Sequence, residues 1–436
     1  MSHPDLSAQM REDWNARAKE DAGYYVAFAS RSQTDADFFA TAADTVRDLE
    51  HELGRVPAGL RPHWKALEIG CGPGRLMRPM SKHFLEIYGV DISDEMIRLA
   101  QEKLNDIPNA YVTISDGSRL TAFEDESIDF IYSYAVFQHI PSREIVLEYF
   151  REIQRILKIG GLARLQIYGL APTQRAPCNT WDGARFSGEE ILEFTRDHDL
   201  QVLALDGAES QYMWTTWRKQ PRGWQAEQEQ RKFLELPARI RRITNAKGTE
   251  PFAPLSGHFS SISLRVANLP MEAGLHQIRV SIGERFGQLI YIGSQDNLGL
   301  VQINVALPEL ENTGLLPVKL WWLDSLIAEP AMLRVTPAPP AVPQIISVSD
   351  AINLASERRI ETRMGRISIE EVLHPEQIVV NIDGKSAVDL EYLCVDPRRQ
   401  LFEVNFRLPE DLGPGYYQVE LRIGRRKFAP ITVQVV

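Results

Sequence analysis

The 436-residue sequence predicts an α/β domain with a doubly wound sheet, followed by two smaller all-β domains. Three observations predict this. A glycine-rich strand-to-helix turn, Ala66 to Arg75, opens a βαβ unit. Beyond about residue 240 helical periodicity gives way to short alternating strands. That alternating half then repeats itself at an offset of 100 to 101 residues. The length alone calls for two or three cores.

Composition narrows the class. With 44% hydrophobic and 25% charged residues the chain has the balance of a globular protein. A formal charge of −11 argues against a sequence-independent grip on nucleic acid. The three cysteines, Cys71, Cys178 and Cys394, are too scattered for a disulfide framework or a zinc cluster, so no metal is expected. No apolar run reaches membrane-spanning length and the start carries no export signal, so a cytoplasmic protein is expected.

Residues 1 to about 60 read as polar-amphipathic helices. Trp14, Ala18, Ala22 and Tyr25 share one face, and Phe38, Phe39, Ala42, Ala43 and Val46 continue a second helix. Ala66–Ile69 is a short apolar strand ended by Gly70, Gly72 and Gly74. After it Leu76, Met77 and Met80 recur at helical spacing. Glycines there let the backbone approach a ligand, and the helix start offers N–H groups to it. A second strand, Glu86–Val90, runs into Asp91, placed to grip a ribose diol. The turn is therefore a nucleoside-cofactor site. It departs from the dinucleotide pattern G-x-G-x-x-G, because Arg75 holds the sixth place and Glu68 precedes the first glycine. An acidic residue there is hostile to a pyrophosphate and suits a cationic methionine end.

Ser93 then caps a helix buried through Met96, Leu99, Ala100 and Leu104. Ile92 is placed either against an adenine face or in strand-end core. The third strand, Ala110–Ser115, runs into Asp116-Gly117-Ser118, where the carboxylate can accept from an exocyclic amine or merely form a turn. Ile128–Tyr132 is a fourth strand, followed by a loop with Tyr134, Gln138 and His139. Ser142 caps the next helix, Gly160 and Gly161 are expected to stop it, and a fifth strand ends near Gly169. A helix over Gly188–His198 and strands over Leu200–Leu205 and Gln211–Trp217 complete a sheet of seven strands.

This series of motifs resembles the class I S-adenosylmethionine-dependent methyltransferases, of the small-molecule branch, over residues 60 to about 217. The resemblance implies a Rossmann-like seven-stranded sheet and S-adenosyl-L-methionine as cofactor. It places cofactor contacts at Tyr25, Glu68, Gly70, Cys71, Gly72, Gly74, Asp91, Ile92, Met96, Asp116, Gly117, Ser118 and Tyr134. An N-terminal helix lidding the cofactor, with Tyr24 or Tyr25 against the sulfonium, is a further implication. His139 is the candidate general base for an oxygen or nitrogen nucleophile. No N/D-P-P-Y/F segment follows the fourth strand, which argues against the amine chemistry of nucleic-acid and glutamine methyltransferases.

Residues 218–240 read as a charged connector. Beyond it come SISLRVANL, HQIRVSIG, GLVQINVALP, PVKLWWL and AMLRVTP, then the proline-rich linker Thr336–Pro343, then a second series. Gln277–Val280 matches Gln377–Val380, Val305–Pro308 matches Phe406–Pro409, and Val318–Leu320 matches Val419–Leu421. The strand pairs resemble immunoglobulin-like (IPT/TIG) β-sandwich modules. The expected domains are 1–228 (catalytic), 237–337 and 343–436 (sandwiches). Adjacent Trp321 and Trp322 must point to opposite faces of a strand. The outward ring is expected either in an interface with the catalytic domain, the second sandwich or a second copy, or shielded by its own neighbours.

The expected activity is methyl transfer to a small-molecule acceptor. The alternatives are a protein or glycan acceptor held by the sandwiches, and a non-catalytic cofactor-binding scaffold. A homodimer through the sandwiches is a further expectation.

Overall fold

The structure is a computed structural model that describes all residues except 1–2, 28–33, 170–178, 182, 209, 234, 340–341, 352–357 and 397–399. Cys178 and part of the proline linker lie outside the described residues. The chain divides into two compact units. One comprises residues 1–22 and 35–338, the other 23–34 and 339–436.

The first unit opens with α1 (His3–Ala27), whose Asp21 leaves helical geometry for an extended conformation close to the point where the units change. Next come α2 (Asp35–Ala40) and α3 (Ala43–Leu53). The α/β half then alternates as expected. It runs β1 (Lys65–Ile69), α4 (Met77–Met80), β2 (Glu86–Asp91), α5 (Asp94–Lys103), β3 (Ala110–Ile114), β4 (Ile128–Ser133), α6 (Arg143–Ile156), β5 (Leu157–Ile167), α7 (Gly188–Asp197), β6 (Leu200–Asp206) and β7 (Met213–Lys219). The strands lie in the order β3-β2-β1-β4-β5-β7-β6, parallel except for β7. Both faces are covered, so neighbouring strand residues alternate between two cores. Ala66, Phe130 and Leu162 pack with α3, α4 and α5, while Leu67, Ile131 and Ala163 pack with α6 and α7.

The helix starts are as the sequence requires. Ser93 Oγ accepts from Met96 N–H, and Ser187 makes a reciprocal capping box with Glu190. One stop is misplaced. Gly160 and Gly161 do not end α6, because Leu157 is already extended and pairs with Ile128. The register then jumps to Phe130 opposite Leu162, so the two glycines sit in a bulge of β5.

The connector holds a short helix, α8 (Trp224–Gln230). The first β-module follows: β8 (Arg239–Asn245), β9 (Phe252–Pro254), β10 (Ser261–Ala267), β11 (Ile278–Ile282), β12 (Arg285–Phe286), β13 (Gln288–Gln295), β14 (Leu300–Ala306), β15 (Gly314–Trp322), β16 (Ser325–Leu326) and β17 (Ala331–Thr336). Its sheets are β13-β14-β10-β8 and β12-β11-β15-β17-β9. The first is not separate: β13 pairs with β6, making one sheet of 11 strands from β3 to β8. One hydrophobic cluster likewise runs from Met10 through Trp217 to Val335. The boundary between compact units therefore falls at Ala338 rather than in the 218–240 connector.

Trp322 is the inward ring, 1% exposed, and Trp321 the outward one. The inward ring reaches the connector: its Nε1 donates to Gln228 O at 3.2 Å, and Phe233 stands edge-on at 5.5 Å. The outward ring stays on its own sheet, donating to Ser281 Oγ and lying edge-on to Phe286. These contacts shield part of the ring within its own module.

In the second unit ten strands follow: β18 (Gln344–Asp350), β19 (Arg359–Ile360), β20 (Met364–Glu370), β21 (Ile378–Ile382), β22 (Lys385–Ser386), β23 (Val388–Asp396), β24 (Leu401–Arg407), β25 (Gly415–Ile423), β26 (Arg426–Lys427) and β27 (Ile431–Val435). The sheets β23-β24-β20-β18 and β22-β21-β25-β27-β19 share one core around Phe406 and Val419. Strand for strand this is the order of the first module.

Candidate functional site

The site is built at the ends of β1, β2 and β3. Gly70, Gly72 and Gly74 all have positive φ. Gly70 has a second reason to be glycine: a Cβ there would stand 2.1 Å from Val136 of the loop after β4. That contact brings the fourth-strand loop against the glycine turn. Gly70 and Cys71 N–H donate to Val90 O, and Gly72 N–H donates to Asp91 Oδ2 at 2.9 Å. The other oxygen of Asp91 accepts from Ser93 N–H at 2.9 Å. Burial pushes the Asp91 pKa up, against those backbone donors. The strand-tip carboxylate is thus fixed by the loop it serves, with lone pairs remaining for a diol.

Glu68 is buried on β1 and accepts from Tyr132 Oη at 3.0 Å. Burial pushes its pKa up to about 8; the Tyr132 bond and the nearby Arg75 charge oppose this, and Asp91 adds to it. Arg75, which opens the turn into α4, is 6% exposed. Its Nη1 donates to Thr41 O at 3.0 Å, but its buried Nε has no protein partner. Arg75 is not among the contacts expected from the sequence. Its signal there is the sixth place of the loop, which serves only to exclude a dinucleotide.

Cys71 is buried and its thiol pKa is pushed well up by burial, so it packs as a small apolar group. Met96 is buried in the first turn of α5. Ile92 faces Gly117, where a Cβ would meet Ile92 Cδ1 at 2.5 Å and Ser7 Oγ at 3.3 Å. Asp116 is exposed, and its Oδ1 accepts from Ser118 and Arg119 N–H, which is the turn geometry weighed from the sequence.

Helix α1 is tied to the tips of β2 and β3 through other residues than the tyrosines. Arg11 donates to Ser115 O at 3.0 Å, and Asn15 Oδ1 accepts from Ser93 Oγ at 2.6 Å and Glu95 N–H at 3.1 Å. A cleft between α1 and the β3 tip is lined by Ser7, Arg11, Asn15, Asp116 and Ser118. Tyr25 falls in the segment 23–34 that groups with the second unit, its ring edge-on to Tyr24 at 5.2 Å.

Past β4, Tyr134 stacks on Trp214 at 5.5 Å, with the Arg75 guanidinium 5.6 Å from its ring. His139 is buried between two tryptophans, Trp14 of α1 at 5.3 Å and Trp181 at 5.2 Å. Its Nδ1 lies 2.8 Å from Trp181 O and its Nε2 3.2 Å from Gln138 Nε2. Arg17 spans both tryptophan faces and donates to Thr180.

Fold and loop together define an α/β domain with a glycine turn after β1 and acidic residues at the tips of β2 and β3. Residues 67–165 match the family model described as a methyltransferase domain, a class of domain that takes S-adenosylmethionine as its cofactor. The loop fits that cofactor: an orphaned arginine nitrogen and a buried carboxyl face a turn that only glycine permits. Phosphoethanolamine N-methyltransferase 2 of Caenorhabditis elegans is 33% identical over 111 residues, which is 25% of each chain. Demethylmenaquinone methyltransferase of Staphylococcus aureus is 31% identical over 107 residues, 24% of this chain and 43% of that one. The chain thus matches a quarter to under half of the length of these relatives. Among solved structures, Haemonchus contortus phosphoethanolamine N-methyltransferase 1, in complex with phosphoethanolamine and S-adenosylhomocysteine, aligns at 17% identity. That alignment spans 52% of this chain and 56% of that one, with a TM-score of 0.37.

Proposed function

We propose that the chain transfers the methyl group of S-adenosylmethionine to an oxygen or nitrogen nucleophile of a small-molecule acceptor, with His139 as general base. The observation that carries this reading is the Gly70–Val136 contact, which sets the loop bearing His139 directly on the cofactor turn. The matched relatives are named for small acceptors, phosphoethanolamine and demethylmenaquinone, which supports the same class here.

When bound, the cofactor supplies an electrophilic methyl on a cationic sulfur. The protein's part is placement and proton removal. Asp91 would hold the ribose, Ile92 and Gly117 would line the base, and Asp116-Ser118 would meet its edge. Glu68 would receive the ammonium and Arg75 Nε the carboxylate of the methionine end. His139 Nε2 takes the acceptor's proton, while Trp14 and Trp181 keep water from the ring.

The two β-modules read best as immunoglobulin-like sandwiches used for spacing or for contact with a second copy, a protein or a glycan, in a cytoplasmic enzyme. Equal strand order in both modules supports a duplicated sandwich.

A screen of small acceptors with methyl-labelled cofactor tests the function. His139→Gln should lower kcat by about 10²- to 10⁴-fold, the range of a lost general base. Absence of both transfer and S-adenosylhomocysteine binding in the intact chain would end this reading.

A further inference from the structure

We infer that Gln166 and Gln138 are positioning residues that put the proton of His139 on Nδ1 and leave the lone pair on Nε2. The inference deepens the reading of His139 as a base and rests on it for its catalytic meaning. The hydrogen-bond chain itself is independent of that reading.

The hydrogen-bond chain starts and ends on backbone, which fixes the polarity of both its ends. Ala135 sits in the left-handed region with φ 56°, a conformation its Cβ disfavours, and this points its N–H at Gln166 Oε1, 2.9 Å away. A backbone N–H only donates, so the Gln166 atom facing it is the oxygen. The amide nitrogen of Gln166 consequently turns the other way, where three acceptors meet it: Ile167 O at 3.0 Å, Gln211 O at 3.3 Å and Gln138 Oε1 at 3.2 Å. Gln138 therefore shows its oxygen to Gln166 and its NH2 to His139 Nε2, 3.2 Å away. An amide NH2 donates, so Nε2 accepts. At the far end Trp181 O only accepts, so Nδ1 carries the hydrogen of the 2.8 Å bond. Both ends give the same tautomer. Gln166 is 0% and Gln138 4% exposed, so water does not compete for these bonds.

Two buried glutamines, one on β5 and one in the loop after β4, are costly unless fully bonded. Here they are bonded in the one arrangement that hands a lone pair to the acceptor side of the ring. A substrate hydroxyl or amine donates to Nε2 in place of the Gln138 amide. Arg17 of α1 lies over Trp14 and Trp181, the two rings that flank His139, and both Arg17 and Asp13 are tied to Thr180. The relay adds no charge of its own.

The test is a long-range proton–nitrogen spectrum of the full chain labelled with ¹⁵N-histidine, recorded between about pH 6 and 9 across the usual imidazole range. The His139 signals are picked out by their loss in His139→Gln. The neutral wild-type ring should carry its proton on Nδ1 alone. Gln138→Glu keeps the acceptor for Gln166 but presents an oxygen to Nε2. Its ring should therefore be protonated on both nitrogens, with kcat lowered at least tenfold and KM within about twofold. Gln166→Met releases the Gln138 amide and should give a second ring signal protonated on Nε2. A wild-type ring protonated on Nε2 overturns the inference, as does a Gln138→Glu ring identical to wild type. If both variants fail to fold, the wild-type spectrum still decides the tautomer. Full activity in His139→Gln would remove the base assignment, and the ring spectrum would still test the relay by itself.

Discussion

Tyr291 of β13 stands opposite Ala204 of β6, and this pairing carries the catalytic sheet into the first β-module. The joint is reinforced from α3. His51 Nε2 lies 3.0 Å from Tyr291 Oη, and Arg55 lies over the same ring while donating to Ile292 O at 2.6 Å. Residues 1–228 alone would lose the partner of β6 and the shared apolar cluster. A chain ending at residue 338 should stay monomeric in solution and bind S-adenosylhomocysteine as the full chain does. A chain ending at 228 should aggregate or bind at least tenfold more weakly. Size-exclusion chromatography and calorimetry compare them, and equal behaviour of the two would show the joint to be dispensable.

Asp91→Ala removes the acceptor of Gly72 and Ser93 N–H as well as the proposed diol grip. Cofactor-product affinity should fall by about 1–3 kcal/mol, the worth of a charge-assisted bond left unmade. Isothermal calorimetry reads this directly, and an unchanged Kd would place the ribose elsewhere.

Glu68 gives a pH signature. Its folded pKa of about 8 lies above its ordinary value of 4.5. Its contribution to stability is therefore full below about pH 4.5 and is lost as pH rises towards 8, at about 1.4 kcal/mol per unit. On the proposed placement the cofactor's ammonium favours the carboxylate, so binding at pH 7 releases a proton. Affinity should rise with pH up to about 8 and then level off. Calorimetry in buffers of different ionisation heat counts the proton, and Glu68→Gln should abolish both the release and the slope.

Trp322→Ser should lower stability by about 3–5 kcal/mol, as for other large-to-small core changes. Trp321→Ser should cost under about 1 kcal/mol, because its ring is half-buried on its own sheet. Thermal melts of both variants rank them; a larger loss at Trp321 would contradict the burial of the two rings.

The elements that position the cofactor are legible because each strand tip is marked by its own chemistry: glycines after β1, Asp91 after β2, Asp116-Gly117 after β3. The repeat is legible because its strands alternate cleanly. Strand β13 is not: its register with β14 slips at two places, which blurs its alternation. The end of α6 misleads because Gly160-Gly161 marks a bulge as readily as a helix stop. Arg75 becomes a candidate only once burial has isolated its Nε, a fact of packing rather than of spacing. The Gln166–Gln138–His139 relay draws on β5, the loop after β4 and the backbone carbonyls of Ile167, Trp181 and Gln211, so no local pattern announces it.

The pairing of β6 with β13 also bears on synthesis. Strand β6 ends at Asp206, whereas β13 is finished only at Gln295. At about 5–20 residues per second the open edge of the catalytic sheet waits on the order of ten seconds for its cover. During that interval β6 is an edge strand, paired with β7 alone, with an almost wholly buried side-chain pattern, the kind of edge that recruits other chains. A slow stretch of translation between residues 206 and 295, or loss of a chaperone that shields strands, should therefore reduce the yield of native protein more than the same change placed after residue 338.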